Sequence, residues 1–268
     1  MKILGKNLIT PLQKIFSISI LTGSLPKVWN SGIIAPIFKK GDPSDPNNYR
    51  PVTITCVSCR ILESIINERI LKYILANRLI TSFQYGFLPK KSCESQLLSY
   101  LNEITLMLDR KVNIDSVYLD FAKAFDSVSH TKLLYKLTKY GITGNLLLWI
   151  QQFLSNRFQR VRINSSLSEL IPVTSGVPQG SVLGPLLFLL YINDISDLVL
   201  DSSTKMYIFA DDVKILSPSS QSDVLLKLLE NVHNWSEAWQ LSLSIIKCSV
   251  MHFGFGNLKR NTDLTTTF

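Results

Sequence analysis

Apolar residues along this chain follow two spacings, one typical of helices and one typical of short strands. The clearest helical spacing covers residues 60–80, where apolar side chains recur every three or four positions and form one stripe. Such a stripe suits either a partner helix or the protein core, and the core is favoured. Similar patterns predict further helices over residues 11–21, 95–108, 131–140, 146–154, 181–193 and 222–240.

Short apolar or alternating runs bounded by turn residues predict the strands. They cover residues 33–38, 116–121, 160–163 and 171–173, a hairpin over 205–216, and one or two strands within 241–253. Residues 42–50 are rich in Pro, Asn and Asp, which predicts a loop. Because helices and strands are mixed rather than regularly alternating, the pattern favours an α+β fold.

Composition and charge narrow the class of protein. With 268 residues, 46% of them hydrophobic, the chain can bury a full core and forms one large domain or two small ones. The net charge of +8 comes from residues 1–100, which hold 13 Lys and Arg against 5 Asp and Glu. This basic third is the candidate phosphate-facing part, and a solvated basic surface is the alternative.

The cysteine and hydropathy patterns exclude several classes. Four cysteines in a chain of this length do not form a disulfide framework. Cys56 and Cys59 form a lone C-x-x-C, which favours core-facing thiols over zinc or redox chemistry. We expect no signal peptide and no membrane partner, because the longest apolar run, 182–192, is too short to span a bilayer.

Two adjacent carboxylates, Asp211 and Asp212, lie between two short apolar runs, which predicts a hairpin with acids at its tip. Neighbouring carboxylates repel each other, so a folded protein usually holds them there for a cation. Asp120 ends another apolar run and by itself would be an ordinary loop carboxylate. If its strand neighbours the hairpin, three acids converge on one point, as a pair of Mg²⁺ ions requires.

Asp126 follows Asp120 by six residues, and at this spacing the two carboxylates cannot both bind one metal ion. Six residues span roughly 20 Å in a strand. In a helix they advance roughly 9 Å and rotate away from the same face. We therefore take Asp120 as the ligand and expect Asp126 to cap the following helix.

Three further features suit bound phosphate, and each has a structural alternative. The small-residue loop 174–181 opens a helix whose N–H groups would favour an anion, although many loops enter helices this way. Lys39, Lys40 and Arg50 flank the predicted loop and would clamp a triphosphate or form a solvated basic surface. Lys247 is either a general acid or a surface lysine.

Seven short blocks carry most of these residues, and they recur in a familiar order. They are Trp29 with 33–42, then 48–52, 84–87, 119–128, 175–185, 209–212, and 241–243 with Lys247. In this order the sequence resembles the reverse transcriptase domain of non-LTR (LINE-type) retrotransposons. Single blocks of this kind are common, whereas seven in one order are highly specific.

The resemblance implies a right-hand polymerase fold with fingers and palm, in which an antiparallel palm sheet packs on helices. It places the fingers in residues 1–111 and palm segments in 112–130 and 171–253. Residues 131–170 would form an insertion of the fingers or palm, and 254–268 a polar tail. The thumb is expected to be absent or truncated, and the endonuclease and thumb segments of complete elements are expected outside this chain.

The resemblance also assigns catalytic and metal-binding roles. Asp120, Asp211 and Asp212 match the catalytic, metal-binding carboxylates. Phe121 matches the position that offers its backbone carbonyl to a metal. Lys247 matches the lysine that protonates the leaving pyrophosphate.

A second group of matches concerns the incoming nucleotide. Phe125 matches the bulky side chain that excludes a ribose 2′-OH. Gln179 and Gly180 match positions near the template–nucleotide pair. The cations that match the triphosphate contacts are Lys39 or Lys40, together with Arg50.

These matches imply an RNA-directed DNA polymerase, a nucleotidyltransferase that adds dNTPs to a primer 3′-OH. The implied cofactors are two Mg²⁺ ions, with Mn²⁺ as a substitute, and the implied partners are an RNA template, a DNA primer and dNTPs. A catalytically inactive, nucleic-acid-binding relic of such a domain is the alternative. A group II intron or other cellular reverse transcriptase is less favoured, because blocks 120–126 and 209–212 are of the retrotransposon type.

Overall fold

The computed structural model describes residues 5–255. Within this range the helices are α1 (Gly5–Thr22), α2 (Val57–Ala76), α3 (Cys93–Asp109), α4 (Ala124–Ser127), α5 (His130–Lys139), α6 (Gly144–Leu154), α7 (Gly184–Ile192) and α8 (Ser222–Trp239). The strands are β1 (Ser31–Phe38), β2 (Tyr49–Ile54), β3 (Ile114–Leu119), β4 (Arg157–Ile163), β5 (Ser166–Leu167), β6 (Ile171–Val173), β7 (Lys205–Phe209), β8 (Asp212–Pro218) and β9 (Ser249–Phe253). None of these helices combines the length and the hydrophobicity that crossing a membrane requires.

Most predicted elements are confirmed, with bounds that differ by a few residues. The apolar stripe over residues 60–80 becomes α2, and the hairpin over 205–216 becomes β7 and β8. The predicted loop over 42–50 is shorter than expected, because Pro46–Asn48 forms a 3₁₀ turn and Tyr49 begins β2. Most of the predicted polar tail, from residue 256 onward, lies outside the described residues.

The first of two compact units combines the described residues up to Leu79 with Val128–Leu187. Its sheet has the strand order β2-β1-β4-β5, and β6 pairs with β4. β1 is antiparallel to β2 and parallel to β4. In the core of this unit Trp149 stacks on Phe153 and donates its indole N–H to the Ser19 hydroxyl at 3.0 Å.

The second unit comprises Ile80–Ser127 and the described residues from Phe188 onward. Its sheet has the strand order β7-β8-β3-β9, and every neighbouring pair is antiparallel. α3 packs Tyr100, Ile104 and Met107 against apolar side chains of β3, β7 and β8. The fold is therefore α+β, with an antiparallel sheet packed on helices, as the sequence predicted.

The C-x-x-C pair lies at the start of α2, where Cys56 and Cys59 are free thiols. Cys59 is fully buried. Burial, and after it the neighbouring carboxyl of Glu63, raises the pKa of the Cys59 thiol above its ordinary value. The thiolate that metal or redox chemistry needs is therefore disfavoured, and the core-facing role predicted for these thiols holds for Cys59.

Candidate active site

Asp211 and Asp212 lie where β7 turns into β8, in the second unit. Phe209 pairs with Asp212, so Ala210 and Asp211 make up the whole turn. Ala210 has a φ of +55°, a left-handed conformation that is uncommon for a residue with a Cβ. The predicted hairpin with acids at its tip is thus confirmed.

Asp120 follows the last residue of β3, which pairs directly with β8. Leu119 lies opposite Val213, and one further step in the antiparallel register sets Asp120 opposite Asp212. The Ser244 N–H donates to the Asp120 carbonyl oxygen at 2.7 Å and fixes the backbone at this point. The strand that ends at Asp120 is therefore a sheet neighbour of the acidic hairpin, as predicted.

Negative charge accumulates at this end of the sheet, and two lysines offset part of it. Partial desolvation of its carboxyl, and then the negative charge of Asp120, raise the pKa of Asp212, whereas Lys214 and Lys247 act in the opposite direction. Lys247 Nζ donates a hydrogen bond of 3.0 Å to Asp120 Oδ1. The acids therefore form a site that attracts cations.

The chemistry of these donors suits a hard divalent cation, because carboxylate oxygens are the ligands that Mg²⁺ prefers. The three carboxylates do not form a closed set of metal ligands in this structure. Within residues 5–255 no three His, Cys, Asp or Glu side chains are gathered closely enough to hold a metal ion. The three acids thus share one end of the sheet, and their convergence on a single point stays a prediction.

Lys247 belongs to a 3₁₀ turn, Ile245–Lys247, just before β9. The backbone N–H groups of Lys247 and Cys248 both donate to the Ser244 carbonyl oxygen. Because the Ser244 N–H is bonded to Asp120, this turn fixes the lysine relative to the acid. The side chain is exposed, as in a surface lysine, but it contacts a candidate catalytic carboxylate.

Phe121, whose backbone was expected to contact a metal, is buried next to Asp120. Its backbone forms an antiparallel bridge with Leu243. Its ring meets Trp235 edge-on, with the ring centroids 6.1 Å apart. These contacts hold the backbone that follows Asp120 in one position.

Phe125 lies on α4 within an aromatic cluster of the second unit. Its ring stacks on Phe188 at 4.3 Å and meets Phe87 edge-on at 6.3 Å between centroids. Asp126 lies inside the same short helix, and the N-cap of α5 is Ser129. The prediction that Asp126 caps the following helix is therefore wrong, because a separate helical turn forms before that helix begins.

Two residues that contact this end of the sheet were not singled out from the sequence. Gln84 is buried and accepts a hydrogen bond from the Ala210 N–H at 3.0 Å. Lys214 Nζ donates to Gln96 Oε1 at 2.9 Å. Strand alternation could have found Lys214, since it follows Asp212 by two residues on the same face of β8. Gln84 belongs to the block 84–87 that supports the family resemblance, but the block alone gave this residue no role.

Gln179 and Gly180 lie in the first unit, on the loop before α7. The Thr53 N–H of β2 donates to the Gln179 carbonyl oxygen at 2.6 Å. Gly180 has a φ of +103°, and a Cβ there would lie 2.6 Å from the Thr53 carbonyl oxygen. The loop therefore packs backbone to backbone against β2, which requires glycine at this position.

The helix entrance after Gly180 holds a carboxyl of the protein itself. Glu63 is fully buried, and its Oε2 accepts hydrogen bonds from the N–H groups of Val182 and Leu183 at 2.8 and 3.1 Å. The sequence predicted that N–H groups here would favour an anion, and the anionic group that they bind is Glu63. The predicted helix start at residue 181 is three residues too early, because α7 begins at Gly184.

Lys39, Lys40 and Arg50 are exposed in the first unit, around the end of the β1–β2 pair. Ile37 lies opposite Arg50, and the Lys39 N–H donates to the Asn48 carbonyl oxygen at 2.9 Å. The structure therefore places Lys39, which directly follows β1, close to the start of β2, the strand that contains Arg50. This arrangement fits both a phosphate clamp and a solvated basic loop.

A family model described as reverse transcriptase (RNA-dependent DNA polymerase) matches residues 37–266 of this sequence. The match covers most of the chain and includes every block that carries a candidate catalytic acid. The chain therefore belongs to the reverse transcriptase family, and its curated relatives are of the non-LTR type.

Two curated relatives come from mobile elements of Drosophila melanogaster. The RNA-directed DNA polymerase of the jockey element is 31% identical over 252 residues, which cover 90% of this chain and 27% of the relative. The probable RNA-directed DNA polymerase of the X-element transposon is 30% identical over 269 residues, covering 98% of this chain and 29% of the relative. The chain thus spans between a quarter and a third of the length of these relatives.

Solved structures of telomerase share the fold at low sequence identity. The apo telomerase from Candida tropicalis, truncated from its C-terminal domain, gives a TM-score of 0.65 at 11% identity, over 85% of this chain and 51% of that chain. The Candida albicans telomerase, in complex with a TWJ fragment of telomeric RNA, gives a TM-score of 0.64 at 13% identity, over 90% of this chain and 45% of that chain. The fold agrees with the fingers and palm of a right-hand polymerase.

Proposed function

We propose that this chain is an RNA-directed DNA polymerase domain of a non-LTR retrotransposon, which adds dNTPs to a primer 3′-OH by two-metal phosphoryl transfer. One observation carries the proposal. Asp120 lies opposite Asp212, beside Asp211, at the ends of adjacent antiparallel strands in a member of the reverse transcriptase family.

The three acids would hold the metal ions. Phosphoryl transfer asks the protein for positioning and charge neutralisation more than for covalent chemistry. Asp120, Asp211 and Asp212 would bind two Mg²⁺ ions, with the backbone carbonyl of Phe121 as a further ligand. When bound, such a pair lowers the pKa of the primer hydroxyl and neutralises the triphosphate and the leaving pyrophosphate.

Lys247 would hold the proton for the leaving pyrophosphate. Its Nζ lies 3.0 Å from Asp120 Oδ1, so an ammonium group stands beside a candidate metal ligand. General acids act from within hydrogen-bond reach of the reacting atoms. The 3₁₀ turn that presents Lys247 is bonded to the Asp120 backbone, which supports a fixed position for this group.

The remaining assigned residues would bind and select the nucleotide. Phe125 would exclude a ribose 2′-OH, and the ring that stacks on it at 4.3 Å limits its movement. Gln179 and Gly180 would lie near the template–nucleotide pair. The exposed cations that would contact the triphosphate are Lys39, Lys40 and Arg50.

An RNA template and a DNA primer are the proposed macromolecular partners. The names of the relatives from jockey and the X-element describe RNA-directed DNA polymerases. A structural neighbour, the Candida albicans telomerase, was solved with a fragment of telomeric RNA. The excess of positive charge in residues 1–100 supports binding to a polyanion.

Primer extension on an RNA template with Mg²⁺ and dNTPs tests this proposal. We expect the Asp211→Ala variant to lose extension by at least about 10³-fold, because charge neutralisation at the reacting phosphate is lost. Template–primer binding, measured by fluorescence anisotropy, should stay within about twofold of the parent. The matched control is Asp109→Ala, which removes an exposed carboxylate at the end of α3 in the same unit.

Two outcomes would contradict the proposal. Equal extension by the parent and the Asp211→Ala variant would remove these acids from the mechanism. Binding of the template–primer without any extension by the parent would favour the alternative, an inactive nucleic-acid-binding relic.

A further inference from the structure

The Gln84 side chain connects two separate segments of the second unit. Gln84 is 2% exposed, and its Oε1 accepts hydrogen bonds from the N–H groups of Gly86 at 2.8 Å and Ala210 at 3.0 Å. Ala210 is the first residue of the acidic turn and directly precedes Asp211. One side-chain oxygen therefore binds the turn that carries a candidate metal ligand.

The backbone around Gln84 is held along the outer strand of the sheet. The Ile208 N–H donates to the Phe83 carbonyl oxygen at 2.9 Å, and the Tyr85 N–H donates to the Ile208 carbonyl oxygen at 2.8 Å. This segment thus pairs with β7 in parallel, just before the acidic turn. Gln84 consequently has a fixed backbone from which to reach Ala210.

Gly86 allows this close approach. A Cβ at this position would lie 2.6 Å from the Ala210 nitrogen, a contact that real Cβ atoms do not make. Glycine is therefore required here for the two backbones to meet. Together, Gln84 and Gly86 leave the Ala210 peptide little freedom to rotate.

Lys91 also binds the segment around Gln84. Its Nζ donates to the carbonyl oxygens of Ser82 and Gln84 at 2.6 and 2.7 Å. The ammonium group also lies 4.6 Å from the centre of the Tyr85 ring. This part of the support for Gln84 does not involve the acidic hairpin.

The Ala210 conformation explains why such support matters. A residue with a Cβ at positive φ costs on the order of 1–2 kcal/mol, and it persists where the surroundings determine it. Ala210 has a φ of +55°, and its N–H is bound by Gln84. A change in this peptide would move the Cα of Asp211, whereas catalytic groups must be held within about 0.5 Å of their productive positions.

We infer that Gln84 is a positioning residue, which sets the location of Asp211 by binding the Ala210 N–H. The inference rests on the proposed function for the role of Asp211, and it goes beyond that function by naming the group that fixes the turn. The Gln84 side-chain oxygen binds backbone N–H groups. Its effect on catalysis would pass through the Ala210 peptide.

Amide hydrogen exchange at single-residue resolution tests the inference without requiring turnover. In the parent chain we expect the Ala210 amide to be protected at least about tenfold relative to an exposed turn amide. The Gln84→Met variant keeps the volume of the side chain and removes the acceptor. It should lose the protection at Ala210 and Gly86, while amides in the β3–β8 pairing keep theirs.

Two further variants separate a local effect from general destabilisation. Gln84→Glu retains a side-chain oxygen that accepts both N–H groups, so protection at Ala210 should return. Gln151→Met changes an exposed glutamine on α6 in the same way and should leave the Ala210 amide unchanged. If Gln84→Met does not fold, the exchange rates of the Ala210 amide in the parent and in Gln84→Glu decide whether the Gln84 side chain protects this amide.

Kinetics supply the functional part of the test. We expect Gln84→Met to lower kcat for nucleotide addition by about 10- to 100-fold, with little change in KM for the dNTP, because a misplaced ligand weakens the transition state. The Mg²⁺ concentration at half-maximal rate should also rise.

Either of two results would overturn the inference. One is an Ala210 amide in the parent that exchanges as fast as an exposed turn. The other is unchanged Ala210 exchange in Gln84→Met. If the parent shows no extension, the proposed function fails, and the exchange experiment still decides whether Gln84 sets the turn.

Discussion

The Asp120–Lys247 pair holds the Asp120 carboxylate only weakly. Its hydrogen bond is 3.0 Å long, and the two side chains are 34% and 63% exposed. Exposed ion pairs of this kind contribute about 0–1 kcal/mol. The ammonium is therefore readily exchanged for a stronger partner, as a carboxylate that binds a metal requires.

His130 provides a test at the scale of one residue, in the first unit, whereas the acids belong to the second. Its Nε2 donates to the Gly176 carbonyl oxygen at 2.8 Å. Burial, opposed by this hydrogen bond and assisted by the charge of Arg157, lowers the pKa of His130. The unfolded chain takes up a proton at this residue near pH 6.5, whereas the folded chain does so only at lower pH.

The folded state should therefore lose stability as the pH falls below about 6.5. We expect the thermal midpoint of the parent to drop between pH 7.5 and 5.5 by about 2 °C more than that of His130→Gln. The glutamine amide can still donate to Gly176 but does not titrate. The thermal midpoints are measured by circular dichroism. Equal decreases of the midpoint in the two proteins would contradict a contribution of His130 to the pH dependence.

The sequence predicts the roles of some single residues and not of others. Asp120, Asp211 and Asp212 end short apolar runs, and the charge repulsion between neighbours made the hairpin acids conspicuous. The sequence did not predict the role of Gln84, because its contact to Ala210 joins positions 126 residues apart. Asp126 was predicted to cap the helix that follows it, because the short helix α4, in which it lies, lacks an apolar repeat long enough to be predicted.

At the scale of elements, the entrance to α7 depends on one side chain from α2. Glu63 accepts both the Val182 and Leu183 N–H groups, so it satisfies two donors that lie just before the helix begins. Buried Arg157 adds a positive charge near the same carboxyl. The loop that carries Gln179 and Gly180 is thereby anchored at its C-terminal end.

Removal of this anchor should destabilise the fold. We expect Glu63→Ala to lower the free energy of unfolding by about 2–4 kcal/mol, because two backbone N–H donors lose their acceptor and the buried Arg157 guanidinium loses a nearby opposite charge. The matched control is Glu68→Ala, an exposed position on the same helix, which should change stability by no more than about 0.5 kcal/mol. Urea denaturation measures both, and equal losses would contradict the capping role of Glu63.

Element prediction worked where one periodicity extended over several turns. The stripe of α2 and the strands of the hairpin are of this kind, and both are confirmed. The start of α7 was misplaced because Val182 and Leu183 continue the apolar run of the helix, while their N–H groups are bound by Glu63. That partner lies about 120 residues away and leaves no local pattern.

At the scale of the whole molecule, the chain crosses between two compact units more than once. The mixture of elements predicted the α+β class, and the order of seven blocks indicated the reverse transcriptase family, which the family model confirms. The composition of each discontinuous unit depends on contacts between segments far apart in sequence, which periodicity does not encode. The assignment of segments to fingers and palm stays a prediction.

The central claim is that acids on adjacent strands perform metal-dependent nucleotide addition. Its most direct test is the single-turnover rate of one dNTP addition on an RNA template, measured against Mg²⁺ concentration for the parent, Asp120→Asn and the control Asp109→Asn. We predict a rate that saturates with Mg²⁺ in the parent and the control, and falls by at least about 10³-fold in Asp120→Asn. A parent rate that is independent of divalent metal, or an Asp120→Asn rate equal to that of the parent, would contradict the claim.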